Sequence, residues 1–540
     1  MKNKFKYILA GMLLTMAGSC TDWLDLKPLD RMVLEDYWKT KNDVESVVLA
    51  CYRSMAETDF MERIILGGEL RSENVVVDKD QLRSPDVQVD INDVNIKPTN
   101  ALLPWKSFYT VINLCNTVLE YAPEVMQLDP EYTSGYLRAH EAEVKTLRAL
   151  AYFYLVRIYR DVPYIDFSYS EDTQEFNIPK MDGDRILELQ VAELIEAERS
   201  ALKAWGTISQ QKGRITKNAV RALLADIYLW LGRYDECIEA CNRILPDVVP
   251  EGEIINPELA TGAELYLISN RTYFANSFQR IFVNHNSDES IFELQFNSVV
   301  ENTKLPQLYG TANTQGQLAA SPVVHEIFKE NVFQNDLRGK FSFVVTSTSG
   351  SAQQGFSRIF KYTGNSFSIL SNGGVTYFLR TSAIADINWI FYRLADVYLM
   401  KAEALVERGT SADLADALAL VNLIYLRSSP EASSLLDSDY PTRETMRELV
   451  LEERQREFLF EGKRWFDLVR LARKEDKSSP EGKNNHPIML NFVTRKYQFN
   501  ADVVRSKLRF TDALYLPIAE KELISNTALV QNPYYEGGFY

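Results

Sequence analysis

Through most of this chain the apolar positions recur every three or four residues, the period of a helix with one buried face. In residues 43–55, Val44, Val47, Val48, Cys51 and Tyr52 share such a face. In 105–121, Trp105, Phe108, Ile112, Cys115 and Leu119 do the same. Residues 141–159 predict a long helix that stops ahead of Pro163, since proline lacks an N–H to donate and restricts the residue before it. Helices are predicted again over 186–204, 217–231 and 235–245, the last two divided by Gly232 and the last ended by Pro246.

The 217–245 pair carries Ala225, Tyr228, Leu231, Gly232, Tyr234, Cys237, Ala240 and Pro246 at the spacing of a tetratricopeptide hairpin. Small residues let two antiparallel helices approach, and the glycine makes the turn. A second hairpin is predicted at 389–406 and 412–425 around Gly409, and a third at 104–122 and 137–159. Stacked hairpins build a superhelix that serves either to bind other proteins or simply as a scaffold, and the pattern leaves both open. Between 251 and 385 the period shortens. Residues 289–296 alternate like a strand, as do Phe341, Phe343 and Val345, and Val375, Tyr377 and Leu379, with Ser, Thr, Gly and Asn between them. The expected class is mainly α: a superhelical scaffold over 20–250 and 386–540, with a loop-rich insertion of short hairpins at 251–385, all in a single domain.

The N-terminus differs from both. Lys2, Lys4 and Lys6 precede an apolar run, then Ala17, Gly18, Ser19 and Cys20. This is the pattern of a secretory signal, too short for a spanning helix, with residues 1–19 removed. A cysteine directly after the small residues resembles a lipobox, in which the Cys20 thiol is acylated and becomes the anchor in the membrane. The formal charge of −15 becomes −18 once the three lysines leave, which argues against nucleic acid or anionic lipid as a partner. Export permits disulfides among Cys51, Cys115, Cys237 and Cys241, but the Cys237–Cys241 spacing has no second pair to complete a metal site, and buried free thiols fit better. No cofactor or metal is expected. His140, His285, His325 and His486 stand far apart.

Residues 451–473 place Trp465, Leu468, Val469 and Ala472 on one helical face, with Glu461 three before Arg464 and Asp467 three before Arg470, in reach for ion pairs. Arg454, Glu457, Phe458, Glu461, Gly462, Arg464, Trp465, Asp467, Leu468 and Arg470 together resemble the C-terminal signature of the RagB/SusD family of Bacteroidetes surface lipoproteins. Other blocks agree in order: Cys20 to Asp25 with Pro28, Tyr37-Trp38, Arg148-Ala149, Asp161 to Pro163, Arg393 to Met400, Leu516-Pro517-Ile518 and Asn532-Pro533. The resemblance implies a helical, tetratricopeptide-like body with a loop-rich part. It also implies a role as an outer-membrane lid, lipid-anchored and facing outward, over a SusC-like TonB-dependent transporter. Such a lid binds glycan, or sometimes peptide, and delivers it without catalysis.

Glycan sites combine aromatic planes with amides, carboxylates and arginines. Three loops offer such groups: 70–100 with Glu73, Asn74 and Arg83, though without an aromatic; 266–280 with Tyr273, Phe274 and Asn276; and 297–317 with Tyr309, Asn313 and Gln315. Each aromatic has core packing as its competing role. The sequence carries no Gly-x-Ser-x-Gly, His-Glu-x-x-His or phosphate-binding glycine loop. A surface endo-acting glycoside hydrolase remains the enzyme alternative, because two carboxylates suffice for that chemistry. A repeat scaffold that binds only protein is the other. The anchor expectation is tested directly: Cys20→Ala abolishes membrane retention, measured by fractionation, and leaves thermal stability unchanged.

Overall fold

A computed structural model describes residues 37–536, except 79–84, 170–175, 246–264, 266–277, 330–332, 334, 346–356, 370–374, 382–385, 430 and 480–482. Cys20 and the signal segment lie outside the described residues. The first helices are α1 (Lys41–Met55) and α2 (Thr58–Glu69), followed by strand β1 (Val75–Val77) and α3 (Pro85–Asn92). Thr40 caps α1 in a reciprocal box with Asp43. Then come α4 (Lys106–Leu128), α5 (Ser134–Tyr159), α6 (Gly183–Ser200), α7 (Lys217–Leu231) and α8 (Tyr234–Ile244). These pack in series: α1 on α4, α4 on α5, α5 on α6, α6 on α7 and α7 on α8.

The loop-rich part contributes β2 (Ser290–Leu294), α9 (Lys304–Tyr309), β3 (Leu318–Ala320), β4 (Phe343–Val345), β5 (Ser357–Ile359), β6 (Gly364–Ile369) and β7 (Val375–Leu379). Strand β8 (Trp389–Arg393) returns the chain to helices α10 (Leu394–Arg408), α11 (Ser411–Ser428), α12 (Arg443–Glu457) and α13 (Arg464–Ser478). Two shorter helices follow, α14 (Pro487–Thr494) and α15 (Ala501–Leu508). Helix α10 packs on α8, α11 and α12, so the stack runs from the N-terminal block into the C-terminal one. Both predicted turns are left-handed glycines: Gly232 at φ 77° ends α7 and Gly409 at φ 80° ends α10.

The sheets tie the loop-rich part to the rest. One has the order β1-β3-β5-β4, with Val75 opposite Ala320 and Val77 opposite Leu318. A strand from the first block therefore completes a sheet built from residues 318–359. Strand β2 pairs with β8, Trp389 opposite Leu294. Strands β6 and β7 form a hairpin, Phe367 opposite Tyr377.

Several local readings are corrected. Trp389 does not open a helix. It lies in β8, its ring stacked on Tyr362 at 5.2 Å, and the helix starts at Leu394. Phe341 ends a short helix ahead of β4 instead of lying in it. The 70–100 loop contains β1 and α3, and the 297–317 loop contains α9. The signature is two helices, broken over 458–463, where Phe460 (φ 63°) and Gly462 (φ 70°) take left-handed backbone. Cys51, Cys115, Cys237 and Cys241 are buried free thiols.

Buried charge holds these pieces in register. Glu457 accepts from Arg393 (2.5 Å), Arg338 (2.9 Å) and Arg427. Glu289 of the β2 approach binds Arg393 at 2.9 Å and Arg427 at 2.8 Å. Glu461 accepts from Arg393 at 2.8 Å and Lys361 at 2.6 Å. Burial pushes the Glu457 and Glu461 carboxyls up, but the surrounding cations outweigh it and hold Glu457 well below the carboxylate range and Glu461 at about 2. Unfolded, Glu461 titrates near 4.5. Its stabilisation, like that of Glu457, is complete above that pH and is lost as pH falls toward the folded value. Glu69 has the opposite sign: burial pushes it up to about 8, so its effect on stability changes only between 4.5 and 8. The acid limb thus belongs to carboxylates held low by their partners, Glu457 and Glu461 together with Glu45, Asp413 and Asp467. Denaturation midpoints should fall as pH drops below 4.5, and Glu461→Gln should make that limb shallower; an unchanged limb in the variant would contradict the assignment.

Candidate functional site

Two of the three loops singled out from sequence meet in space. The backbone N–H of Asp78 donates to Gln317 O at 2.9 Å, Gln88 Nε2 donates to Gln317 Oε1 at 2.8 Å, and Ser321 N donates to Asn74 O at 2.9 Å. The pairing of β1 with β3 joins the ends of both loops. Of the third loop, Tyr273, Phe274 and Asn276 lie outside the described residues, as does Arg83 of the first.

The joined loops divide into a buried floor and an exposed rim. Glu73 and Asn74 form the floor and are fully buried. Glu73 Oε1 accepts from Arg464 Nε at 3.0 Å and Nη2 at 2.6 Å, and from Gln455 Nε2 at 3.0 Å. Gln455 also donates to Asn74 Oδ1 at 2.8 Å. These two residues therefore connect the first loop to the signature helices and present nothing to a ligand. Arg464, expected beside Glu461, pairs with Glu73 instead, because the break at 458–463 turns Glu461 toward Arg393. The Asp467–Arg470 pair forms as read, at 2.8 Å. Tyr309 is buried too: its ring packs against Phe460 at 6.3 Å and its hydroxyl donates to Phe460 O at 3.0 Å.

The rim is the loop after α9. Gly310 leaves the helix at φ 93°, and a Cβ on Gly316 would meet Leu308 O at 2.5 Å, so only glycine closes this turn. Thr311 N donates to Thr314 O at 2.9 Å, and the two threonine hydroxyls lie 2.8 Å apart. Ala312 N donates to Arg380 O at 2.8 Å, fixing the loop to the end of β7. Asn313 and Gln315 stand exposed on this rigid turn. Arg358, half-buried on β5, reaches Thr314 O at 3.3 Å; burial lowers its guanidinium, and no carboxylate pairs with it among the described residues. On β7, Tyr377 packs inward on Phe360 while Phe378 is 50 % exposed.

Sequence reading missed Arg358 and Phe378. Phe378 had a signal, since it is an apolar residue in the outward phase of a strand whose inward phase is Tyr377 and Leu379. Arg358 had none, because an isolated arginine between serines has no periodic context. Asn313, Gln315 and Arg358 offer amide donors and acceptors and a guanidinium around one turn, and exposed Phe378 stands on the strand to whose end, Arg380, that turn is bonded. The arrangement suits a hydroxyl-rich ligand and lacks any paired carboxylates set for catalysis among the described rim residues.

Comparison with known proteins follows the same outline. The description "SusD family" matches residues 289–535, and "Starch-binding associating with outer membrane" matches 22–229. A SusD-like protein of Formosa agariphila is 24% identical over 572 residues, covering 98% of this chain and all of that protein. Among solved structures, a laminarin binding SusD-like protein superposes with TM-score 0.65 at 20% identity, over 92% of this chain and 100% of the other. Surface glycan-binding protein A from Bacteroides thetaiotaomicron gives TM-score 0.66 at 20% identity with the same coverage. Floor and rim are separable by mutation. Glu73→Ala leaves Arg464 buried without a carboxylate among the described residues, bonded only to Leu451 O, and should cost about 3–5 kcal/mol of stability, whereas Asn313→Ala should stay within about 0.5 kcal/mol; denaturant titration measures both.

Proposed function

The chain belongs to the SusD family, and from that premise we propose that it is a non-catalytic surface lipoprotein that captures glycan and passes it to a TonB-dependent outer-membrane transporter. The observation that carries this reading is the order of the two family matches, which together run along the chain from residue 22 to residue 535. They enclose a helical stack that holds a rigid, polar loop at its exposed rim. Neighbours of the same fold are described as laminarin binding and as surface glycan-binding.

Each part then has a task. Acylated Cys20 keeps the body at the membrane, and no helix among the described residues is long and apolar enough to cross one. The helical stack provides a broad, stiff face for the transporter. The Thr311–Gln315 turn, with Arg358 and Phe378 beside it, takes ligand: amides and guanidinium bond hydroxyls, and the ring stacks on a sugar face. A rigid turn loses little entropy on binding.

Affinity electrophoresis of the chain lacking residues 1–20 in gels containing glycans tests capture, and release of new reducing ends tests cleavage. Retardation without new ends is the expected result. The triple variant Asn313→Ala, Gln315→Ala, Arg358→Ala should weaken binding about tenfold or more, with its melting temperature unchanged. New reducing ends would overturn the non-catalytic reading. An unweakened triple variant would move the site elsewhere on the surface.

A further inference from the structure

A second surface stands out from the pattern of paired charge. Most buried arginines here meet a carboxylate, yet around the turn between α14 and α15 two cations, exposed Arg495 and partly buried Arg505, have none. Arg495 is exposed and lies over the Phe492 ring at 4.4 Å. Arg505 donates to Asn491 Oδ1 and Thr494 Oγ1, each at 3.0 Å, which holds its guanidinium against the end of α14, next in sequence to Arg495. Among the described residues neither has an ion-pair partner; Asp502, on the same helix as Arg505, pairs with neither. Between them Phe499 is 98% exposed, flanked by exposed Gln498 and Asn500. A phenylalanine so fully in water contributes nothing to the core.

This segment packs on the first candidate loop. Tyr497 OH donates to Asn92 O at 2.5 Å, Lys507 Nζ to Val94 O at 2.8 Å, and Lys496 Nζ to Leu70 O at 2.9 Å and Val75 O at 3.4 Å. Residues 70–100 contain no aromatic side chain of their own. Tyr497 brings one against them from the far end of the chain, and exposed Phe499 stands two residues beyond it. The Thr311–Gln315 rim adjoins the other end of the same strand, β1, through Asp78 and Gln317.

We propose that Phe499, Gln498 and Asn500 form a second glycan subsite, and that Arg495 and Arg505 make it selective for sugars bearing carboxylate or sulfate. The inference rests on the glycan-capture reading and names its ligand class. A ring supplies the stacking plane, two amides bond hydroxyls, and two unpaired guanidiniums bind an anion bidentately. The chain's net charge of −15 opposes non-specific uptake of polyanions, and screening over about 8 Å leaves the local pair to decide. The amides, which bond sugar hydroxyls, favour a glycan over an anionic lipid surface.

The test uses the chain lacking residues 1–20, which keeps every element described above. Affinity electrophoresis compares polygalacturonate (carboxylate), dextran sulfate (sulfate) and neutral laminarin, and co-sedimentation uses phosphatidylglycerol vesicles. Retardation by at least one acidic glycan is expected. Phe499→Ser should weaken it about threefold to tenfold. Arg495→Gln with Arg505→Gln should weaken acidic binding more than about tenfold and leave neutral binding within about twofold. All these positions are at the surface, and unchanged melting temperatures verify folding. Binding to laminarin alone overturns this inference while glycan capture stands. Binding to no glycan overturns both. Loss of vesicle binding in Phe499→Ser with acidic-glycan binding intact assigns the surface to lipid and overturns the proposal.

Discussion

The buried carboxylate of Glu457 is the point on which the rest of the structure depends. Three arginines from three different parts of the chain converge on it: Arg338 from the loop-rich part, Arg393 at the end of β8 and Arg427 at the end of α11. Glu289, Glu453 and Glu461 then satisfy the remaining faces of those arginines and of Lys361. An isolated charge at this depth would be strongly unfavourable, so each member requires the others in place. Apolar packing alone admits small slips between helices; a set of directed ion pairs does not. That is why a mostly helical stack can carry an irregular region and still present its loops at fixed positions.

From this arrangement the division of labour along the chain follows. The signature residues Arg454 to Arg470 face inward and hold the fold, while the ligand candidates lie at turns that those residues support from below. Glu73 belongs to the first group even though its sequence neighbourhood resembles a binding loop. Asn313 and Gln315 belong to the second. The two glycines at the ends of their turn keep it closed, which holds its polar groups in one arrangement.

Helices were legible wherever a local period and a local stop signal coincided. Residues 217–231, between Thr216 and the left-handed Gly232, are found as expected, and both helical hairpins turn at their glycines. The failures share one physical cause, which is partnership with residues far away in sequence. Trp389 has the spacing to open a helix, but pairing with β2 and stacking on Tyr362 hold it extended. The 458–463 break is invisible to periodicity because the Gly462–Glu69 hydrogen bond and Arg393 on Glu461, which hold it, come from far away in sequence. Glu73 reads as a solvated loop acid until Arg464, 391 residues later, meets it. Of the rim, only Asn313 and Gln315 were recognised; Arg358 became meaningful when β5 brought it to Thr314.

Gly68 and Gly462 touch backbone to backbone: a Cβ on Gly68 would sit 1.9 Å from Gly462 O, and Gly462 N donates to Glu69 393 residues upstream in the numbering. The contact has a consequence for the order of events during synthesis. The N-terminal helices emerge first, yet the C-terminal end of α2 cannot find its native neighbour until nearly the whole chain is out. Until then Glu69 lacks Gly462 and Glu73 lacks Gln455 and Arg464. The native surroundings of the end of α2 are therefore completed only by a long-range closure, the docking of the last third of the chain onto the first.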